Sequence, residues 1–260
     1  PAHPNIEVIE RDVRDGLHHD GPTCDRVYHL ACVASPPAYM ADPIDTLTTS
    51  ADGVREALEY ARRTGARVLF TSTSEVYGDP VVHPQVESYW GNVNPIGERS
   101  CYDEGKRYGE ALCAAYTRHH DTDVRIARVF NTYGPTMRPD DGRVVSSFVI
   151  DALNGRPLTV HGTGHQTRSF CYVDDTIAGL RALMETAPGD WNAYPCNIGN
   201  PDEMSVLALA RMINELTGNG AGVQHADPMP DDPTRRRPNI ERAKQGLWWS
   251  PVVTVREGLR

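Results

Sequence analysis

Short apolar runs separated by helix-length amphipathic segments constrain this chain more than any other feature. IEVI (6–9), RVYHL (26–30), ARVLFTS (66–72) and VRIARVF (124–130) each have the length of a strand and little polar patterning. Helical stretches lie between them, from about residue 43 to 63 and from about 102 to 119. A strand that is apolar on both faces needs cover on both, so the alternation predicts an α/β fold. The expected form is a doubly wound, Rossmann-type parallel sheet with helices on either side.

After residue 130 the texture changes to Pro- and Gly-punctuated segments: NTYGP, PDDGR, LNGRP and VHGTGHQ. Two more helices are expected, at about 173–185 and 204–217, with YPCNIGN (194–200) read as an apolar turn. The pattern implies a smaller second lobe, with the chain returning to the sheet near residues 172–199. The first domain is then 1–133 plus about 172–199, and the second about 134–171 plus 200–260. A dinucleotide-binding sheet normally opens on a strand and a Gly-rich turn that feeds a helix N-terminus. The start PAHPNIEVIERDV instead reads as the third strand of such a sheet. The expectation is an N-terminal βαβ unit, roughly 40–60 residues long and carrying the Gly-rich turn, ahead of Pro1.

The net charge of −9 argues against a broad nucleic-acid or anionic-membrane surface. No apolar run approaches the ~18 residues that span a bilayer. Six scattered cysteines without a CxxC pair read as buried thiols in a reducing compartment, and ten histidines without ligand spacing give no metal site. The expected address is the cytoplasm. Any anionic ligand must be met by a local cluster of arginines.

The chemistry is concentrated in TSTSEVYG (71–78) and CYDEGK (101–106). Tyr102 and Lys106 are four residues apart, which on a helix puts both side chains on one face. A phenol titrates near pH ~10, and a neighbouring ammonium should pull it toward working pH and make Tyr102 a general base. Of the 26 Lys and Arg, only Lys106 and Lys244 are lysines. Lysine beside Tyr102 in so Arg-rich a chain marks a place where a compact point charge differs from a planar fork. An incidental pair on a solvated helix is the plain alternative.

These motifs resemble the extended short-chain dehydrogenase/reductase superfamily and, within it, the UDP-glucuronate decarboxylases. The resemblance rests on HLACVASP (29–36), TSTSEVYGDP (71–80), YWGNVNPIGERSCYDEGKR (89–107) and RVFNTYGP (128–135). DGRVVSSF (141–148), LTVHGTGHQTRSFCYVDD (158–175) and DDPTRRRPNIERAK (231–244) extend it almost end to end. Ser50, Val54, His161 and Trp248 depart from the family's usual Asn, Thr, Tyr and Gly.

The resemblance implies conversion of UDP-glucuronate to UDP-xylose through a 4-keto intermediate, with tightly bound NAD recycled. Thr73, Glu75, Tyr102, Lys106 and Arg236 would be catalytic. Asp12, Val13, Leu30, Ala31, Ser35, Thr49 and Ser50 would hold NAD together with Tyr102 and Lys106. Ser74, Asn131, Arg143, His161, Arg168 and Arg236 would bind the UDP-sugar. Arg143 and Arg236 each lie near an acid (Asp141, Asp232) that could simply pair with them. The larger domain would be the NAD-binding one and the smaller the UDP-sugar lobe, with a homodimer formed through a four-helix bundle. A 4,6-dehydratase, an epimerase, an oxidative decarboxylase and a non-catalytic nucleotide-sugar-binding remnant stay open as alternatives.

Overall fold

A computed structural model describes residues 5–17 and 23–260. Its centre is a four-stranded, all-parallel sheet in the order β1-β2-β3-β8, formed by β1 (Arg26–His29), β2 (Arg67–Thr73), β3 (Val124–Val129) and β8 (Pro195–Ile198). Two helices, α1 (Pro36–Ala41) and α2 (Pro43–Thr64), connect β1 to β2, and α3 (Ser100–His120) connects β2 to β3.

The strand sequence decides which helix covers which face. Successive side chains of a strand point to opposite sides. Val68 and Phe70 of β2, with Val124 and Ile126 of β3, pack against Val54, Leu58 and Cys113 of α2 and α3. Leu69 and Ala127 point the other way, against Leu183 and Met184 of α5 (Val173–Met184) and Ala243 of α7 (Glu241–Leu247). The doubly covered sheet expected from the apolar runs is thus present. Gly109 brings α3 close to the sheet: a Cβ there would stand 2.4 Å from the Phe70 ring.

A second core belongs to the later segments. Phe148 and Ala152 of α4 (Val144–Leu153) meet Leu158 and Val160 of β5 (Leu158–His161), and Leu209 and Ile213 of α6 (Val206–Thr217). Short ladders frame this lobe. β4 (Thr132–Tyr133) pairs with β7 (Cys171–Tyr172), β6 (Thr167–Ser169) with β9 (Glu203–Ser205), and β10 (Val223–Ala226) with β5. A last helix, α8 (Val255–Gly258), closes the chain with a Thr254–Glu257 capping box.

Two expectations fail. IEVI is not a strand: Ile6, Val8 and Ile9 are exposed, and no described strand pairs with them. An apolar run becomes a strand only where a neighbour offers ladder partners. YPCNIGN is not a turn, because its Pro195–Ile198 core forms β8 on the far side of β3. Its Pro and flanking Gly suggested a break, yet Pro is tolerated as the first residue of a strand.

Candidate active site

β2 ends at Thr73, and a tight 3-10 turn over Ser74–Tyr77 follows at once. The Thr73 hydroxyl accepts from the Glu75 N–H at 3.2 Å, which caps that turn and sends the Glu75 side chain into the crevice beyond the strand ends. In parallel sheets that crevice is where nucleotides bind. Here it is a cavity of about 820 Å³. Thr73, Ser74, Glu75, Tyr102, Lys106, Asn131, Arg143, His161, Arg168 and Arg236 all line it.

Tyr102 and Lys106 lie on the first turns of α3, both buried. The Tyr102 phenol faces Thr73, whose hydroxyl favours its charged form. Lys106 shares the helix face of Tyr102, as the i,i+4 spacing predicts. Its Nζ donates to the Thr71 carbonyl at 2.8 Å and lies 5.9 Å from the Tyr102 ring centroid. Burial pushes the Tyr102 phenol well above its ordinary value and pulls Lys106 below its own. The expected lowering of the phenol by a nearby lysine is therefore not what this chain's side chains alone produce. Removal from water disfavours both charged forms and is the largest cause for each.

Glu75 is half-buried, and its removal from water by itself would raise its pKa; the Arg236 and Arg99 guanidiniums reverse this and hold the carboxyl well below the usual range. Arg236 grips Glu75 with both terminal nitrogens, its Nη1 on Oε1 and its Nη2 on Oε2 at 2.8 Å. Arg99 Nη2 adds a third bond to Oε2, also at 2.8 Å. Arg236 thus pairs with Glu75 and not with its sequence neighbour Asp232.

The backbone explains how residues 161 positions apart meet. The Thr167 N–H donates to the Thr234 carbonyl and the Arg236 N–H to the Thr167 carbonyl, so β6 carries β9 on one edge and residues 234–236 on the other. Arg168 and Arg236 reach the cavity from adjacent strands. Arg168 Nη2 donates to Asp232 Oδ1 at 2.7 Å. Arg143 does pair with its neighbour Asp141 while still lining the cavity.

On the cofactor side the expected set divides. Leu30 lines the cavity, whereas Ala31, Ser35, Thr49, Ser50, Asp12 and Val13 are not in its wall. Ser35 caps α1 and donates to the Asp141 carbonyl at 2.5 Å. The Ser50 hydroxyl lies 3.2 Å from Cys32 Sγ, and Val54 belongs to the core below. Asp12 is engaged by Arg14, and Val13 docks on α2 where Gly53 leaves room for it. The donor set still fits the nicotinamide riboside half of a dinucleotide. Lys106 donates to the Thr71 carbonyl and stands beside the Tyr102 ring, at strand carboxyl ends flanked by Leu30, Cys32 and Ala34.

Sequence reasoning missed Tyr39, Arg99 and Asp232, all in the cavity wall. Tyr39 stacks on Tyr102, and its buried hydroxyl has no partner. Asn131 Oδ1 is likewise buried and unpartnered, an acceptor left for a ligand hydroxyl or N–H. Arg99 stands three residues before Tyr102, so its place ahead of the Tyr-Lys helix was the available signal.

Comparison with known proteins gives a consistent picture. A family model described as "NAD dependent epimerase/dehydratase family" matches residues 5–199. UDP-glucuronic acid decarboxylase 6 of Arabidopsis thaliana is 53% identical over 99% of this chain and 73% of that protein's length. UDP-glucuronic acid decarboxylase 1 of Xenopus tropicalis is 51% identical over 99% of this chain and 60% of its own length. Among solved structures, the UDP-glucuronic acid 4-epimerase of Bacillus cereus, in complex with UDP-glucuronic acid and NAD, superposes with a TM-score of 0.82. It is 30% identical, over 90% of this chain and 73% of that one.

Proposed function

The chain belongs to the NAD dependent epimerase/dehydratase family and, within it, to the UDP-glucuronic acid decarboxylases, and on that basis we propose how its cavity works. It is a carbon–carbon lyase that converts UDP-glucuronate to UDP-xylose through a 4-keto sugar, with NAD as its recycled cofactor. When bound in its oxidised form, NAD supplies reversible oxidation at the sugar's C4 and a positive ring charge that favours the Tyr102 phenolate.

Tyr102 takes the proton of the 4-hydroxyl, and Thr73, beside it in the cavity wall, orients that hydroxyl. Lys106, anchored on the Thr71 carbonyl, keeps a cation beside the ring and would donate to the cofactor's ribose. Once C4 is a ketone, the 6-carboxylate is a β-keto acid. The C5–C6 bond breaks, carbon dioxide leaves, and the electron pair passes to the C4 oxygen as an enolate. The Tyr102 O–H, now protonated, donates to that oxygen. C5 then takes a proton and C4 is reduced again.

The observation that carries this reading is the triplet at the end of β2. Ser74, a hydroxyl, stands where a 4,6-dehydratase needs an acid, and Glu75 beside it is held ionised by two arginines. Glu75 helps to position the ring. The Nε–H of Arg236 is buried and unpartnered, and is the donor left for the substrate carboxylate or the enolate oxygen. Arg143 and Arg168 take the diphosphate, Asn131 contacts a phosphate, Ser74 the sugar and His161 the nucleobase end. Asp12, Val13, Ala31, Ser35, Thr49 and Ser50 are assigned to the cofactor side on the resemblance. Residues 1–133 with about 172–199 are assigned to NAD, and about 134–171 with 200–260 to the UDP-sugar.

The pairing of subunits is proposed from α2 and α3. Leu47, Ala51, Gly105, Tyr108 and Ala111 line a shallow groove between them, and Ile44, Leu47 and Tyr108 are exposed. Two copies joined there would make a four-helix bundle. Among the described residues no helix is long and apolar enough to cross a membrane. The six free cysteines support a cytoplasmic address. Incubation of the full-length protein with UDP-glucuronate, read by mass spectrometry, tests the activity. Carbon dioxide loss without consumption of added NAD is expected, and turnover of a different nucleotide sugar in its place would refute it.

A further inference from the structure

Five charged side chains form one unbroken, alternating chain across the cavity wall. Arg168 Nη2 donates to Asp232 Oδ1 at 2.7 Å, and Arg99 Nη1 donates to that same oxygen at 3.2 Å. The other arm of Arg99 reaches Glu75 Oε2 at 2.8 Å, where Arg236 Nη2 also donates at 2.8 Å. Arg99, Arg168 and Arg236 are all buried, so water does little to screen these contacts. Arg168 sits in the second lobe, while Arg99 is the N-cap residue of α3, the helix that carries Tyr102.

We propose that Arg99 and Asp232 are positioning residues that couple diphosphate binding at Arg168 to the setting of Glu75 beside the sugar. The inference rests on the assignment of Arg168 to the diphosphate. Asp232 Oδ1 is shared between two guanidiniums, and the shorter bond goes to Arg168. A diphosphate arriving at Arg168 competes with Asp232 for that cation. Asp232 then turns its charge to Arg99 alone. Arg99 in turn is drawn from Glu75, whose Oε2 loses one of its two donors and becomes free to accept from a sugar hydroxyl. Binding at one end thus prepares the carboxylate at the other, and by linkage the coupling runs both ways.

The test is calorimetry with UDP on full-length wild-type protein, Asp232→Asn, Arg99→Gln and the double variant. Asp232→Asn removes the competitor for Arg168, so UDP should bind at least about threefold more tightly. Arg99→Gln touches no phosphate, yet it leaves Asp232 to Arg168 alone and should weaken UDP about two- to fivefold. In the Asp232→Asn background the same change should leave UDP affinity untouched, a non-additivity that a purely structural role would not produce.

Arg99→Met, which keeps a long stem without the charge, replaces Arg99→Gln if that variant does not fold, and the same pattern is expected. Unchanged or weaker UDP binding by Asp232→Asn overturns the coupling. So does an Arg99 effect of equal size in both backgrounds. Wild-type protein that fails to bind UDP would instead refute the functional reading on which the inference stands.

Discussion

The rings of Tyr39 and Tyr102 stack face to face, with centroids 5.0 Å apart and planes 3° from parallel. The contact packs the ring of the proposed base from the side of α1. The stack also buries the Tyr39 hydroxyl without a partner, and burial pushes that hydroxyl well above the ordinary tyrosine value. Tyr39→Phe should therefore fold with stability equal to wild type or about 1 kcal/mol above it, since an unsatisfied buried hydroxyl is removed. Tyr39→Ala should lose about 3–5 kcal/mol through the cavity it leaves, with turnover falling alongside. Urea unfolding of both variants checks this. A Phe variant as unstable as the Ala variant would show that the hydroxyl, and not the ring, holds the site.

Tyr102→Phe should abolish turnover while leaving UDP affinity close to wild type, because the phenol is placed as base and not as anchor. Lys106→Met should be comparably severe and should raise the pH needed for activity. Retention of more than a few per cent of activity in Tyr102→Phe would remove the base assignment.

Glu75→Ala and Arg236→Ala should impair decarboxylation far more than UDP affinity, since both act at the sugar. They should also destabilise the fold. Each leaves its buried partner without its main counter-charge, a loss of about 3–5 kcal/mol. The sign with pH follows from the direction of the shift. The Glu75 pKa is depressed in the folded chain, so its contribution is fully present above the ordinary carboxylate range. It is lost as pH falls below that range, and wild type and Glu75→Ala should converge in stability as the solution becomes acidic.

His29 makes a second pH prediction. Burial at the end of β1 lowers its imidazole from 6.5 to about 4, with Lys106 adding to the effect. The unfolded chain then binds a proton that the folded chain does not, so folding stability falls as pH drops from about 6.5 toward 4. The loss is at most roughly 3 kcal/mol. His29→Phe, which can keep the stack on Phe70 (centroids 5.9 Å apart), should show a shallower decline over that window in thermal melts. Parallel melting curves for the two proteins would refute the assignment.

How much of this was legible in the sequence differs from element to element. The strands from Arg26 and Arg67 and the helices from Pro43 and Ser100 follow from local periodicity, and the structure sets them within a residue or two. IEVI fails because a strand is defined by its neighbours, which periodicity does not contain. The same limit explains the site. Tyr102 and Lys106 are four residues apart, and their shared helix face could be read directly. The link from Glu75 to Arg236 spans 161 positions and depends on residues 234–236 lying along β6, which only the fold discloses. The phenol's expected pKa failed for a related reason: spacing gives the partner's position but not the burial that opposes it.

Trp248 offers a stability prediction that stands apart from the chemistry. It caps the C-terminus of α7 with φ at +53°, in the left-handed region, and its side chain is 93% exposed. A residue with a Cβ pays roughly 1–2 kcal/mol for that backbone conformation, and an exposed indole recovers little of it by burial. Glycine adopts the conformation without the steric cost, although it loses more entropy on folding. Trp248→Gly should thus stabilise the protein by about 1 kcal/mol. The gain should show as a higher denaturation midpoint with an unchanged denaturant slope. Turnover should be unaffected, because Trp248 lines neither the cavity nor the α2–α3 groove. A midpoint that falls would mean the indole makes a stabilising contact in solution that outweighs the strain of its backbone.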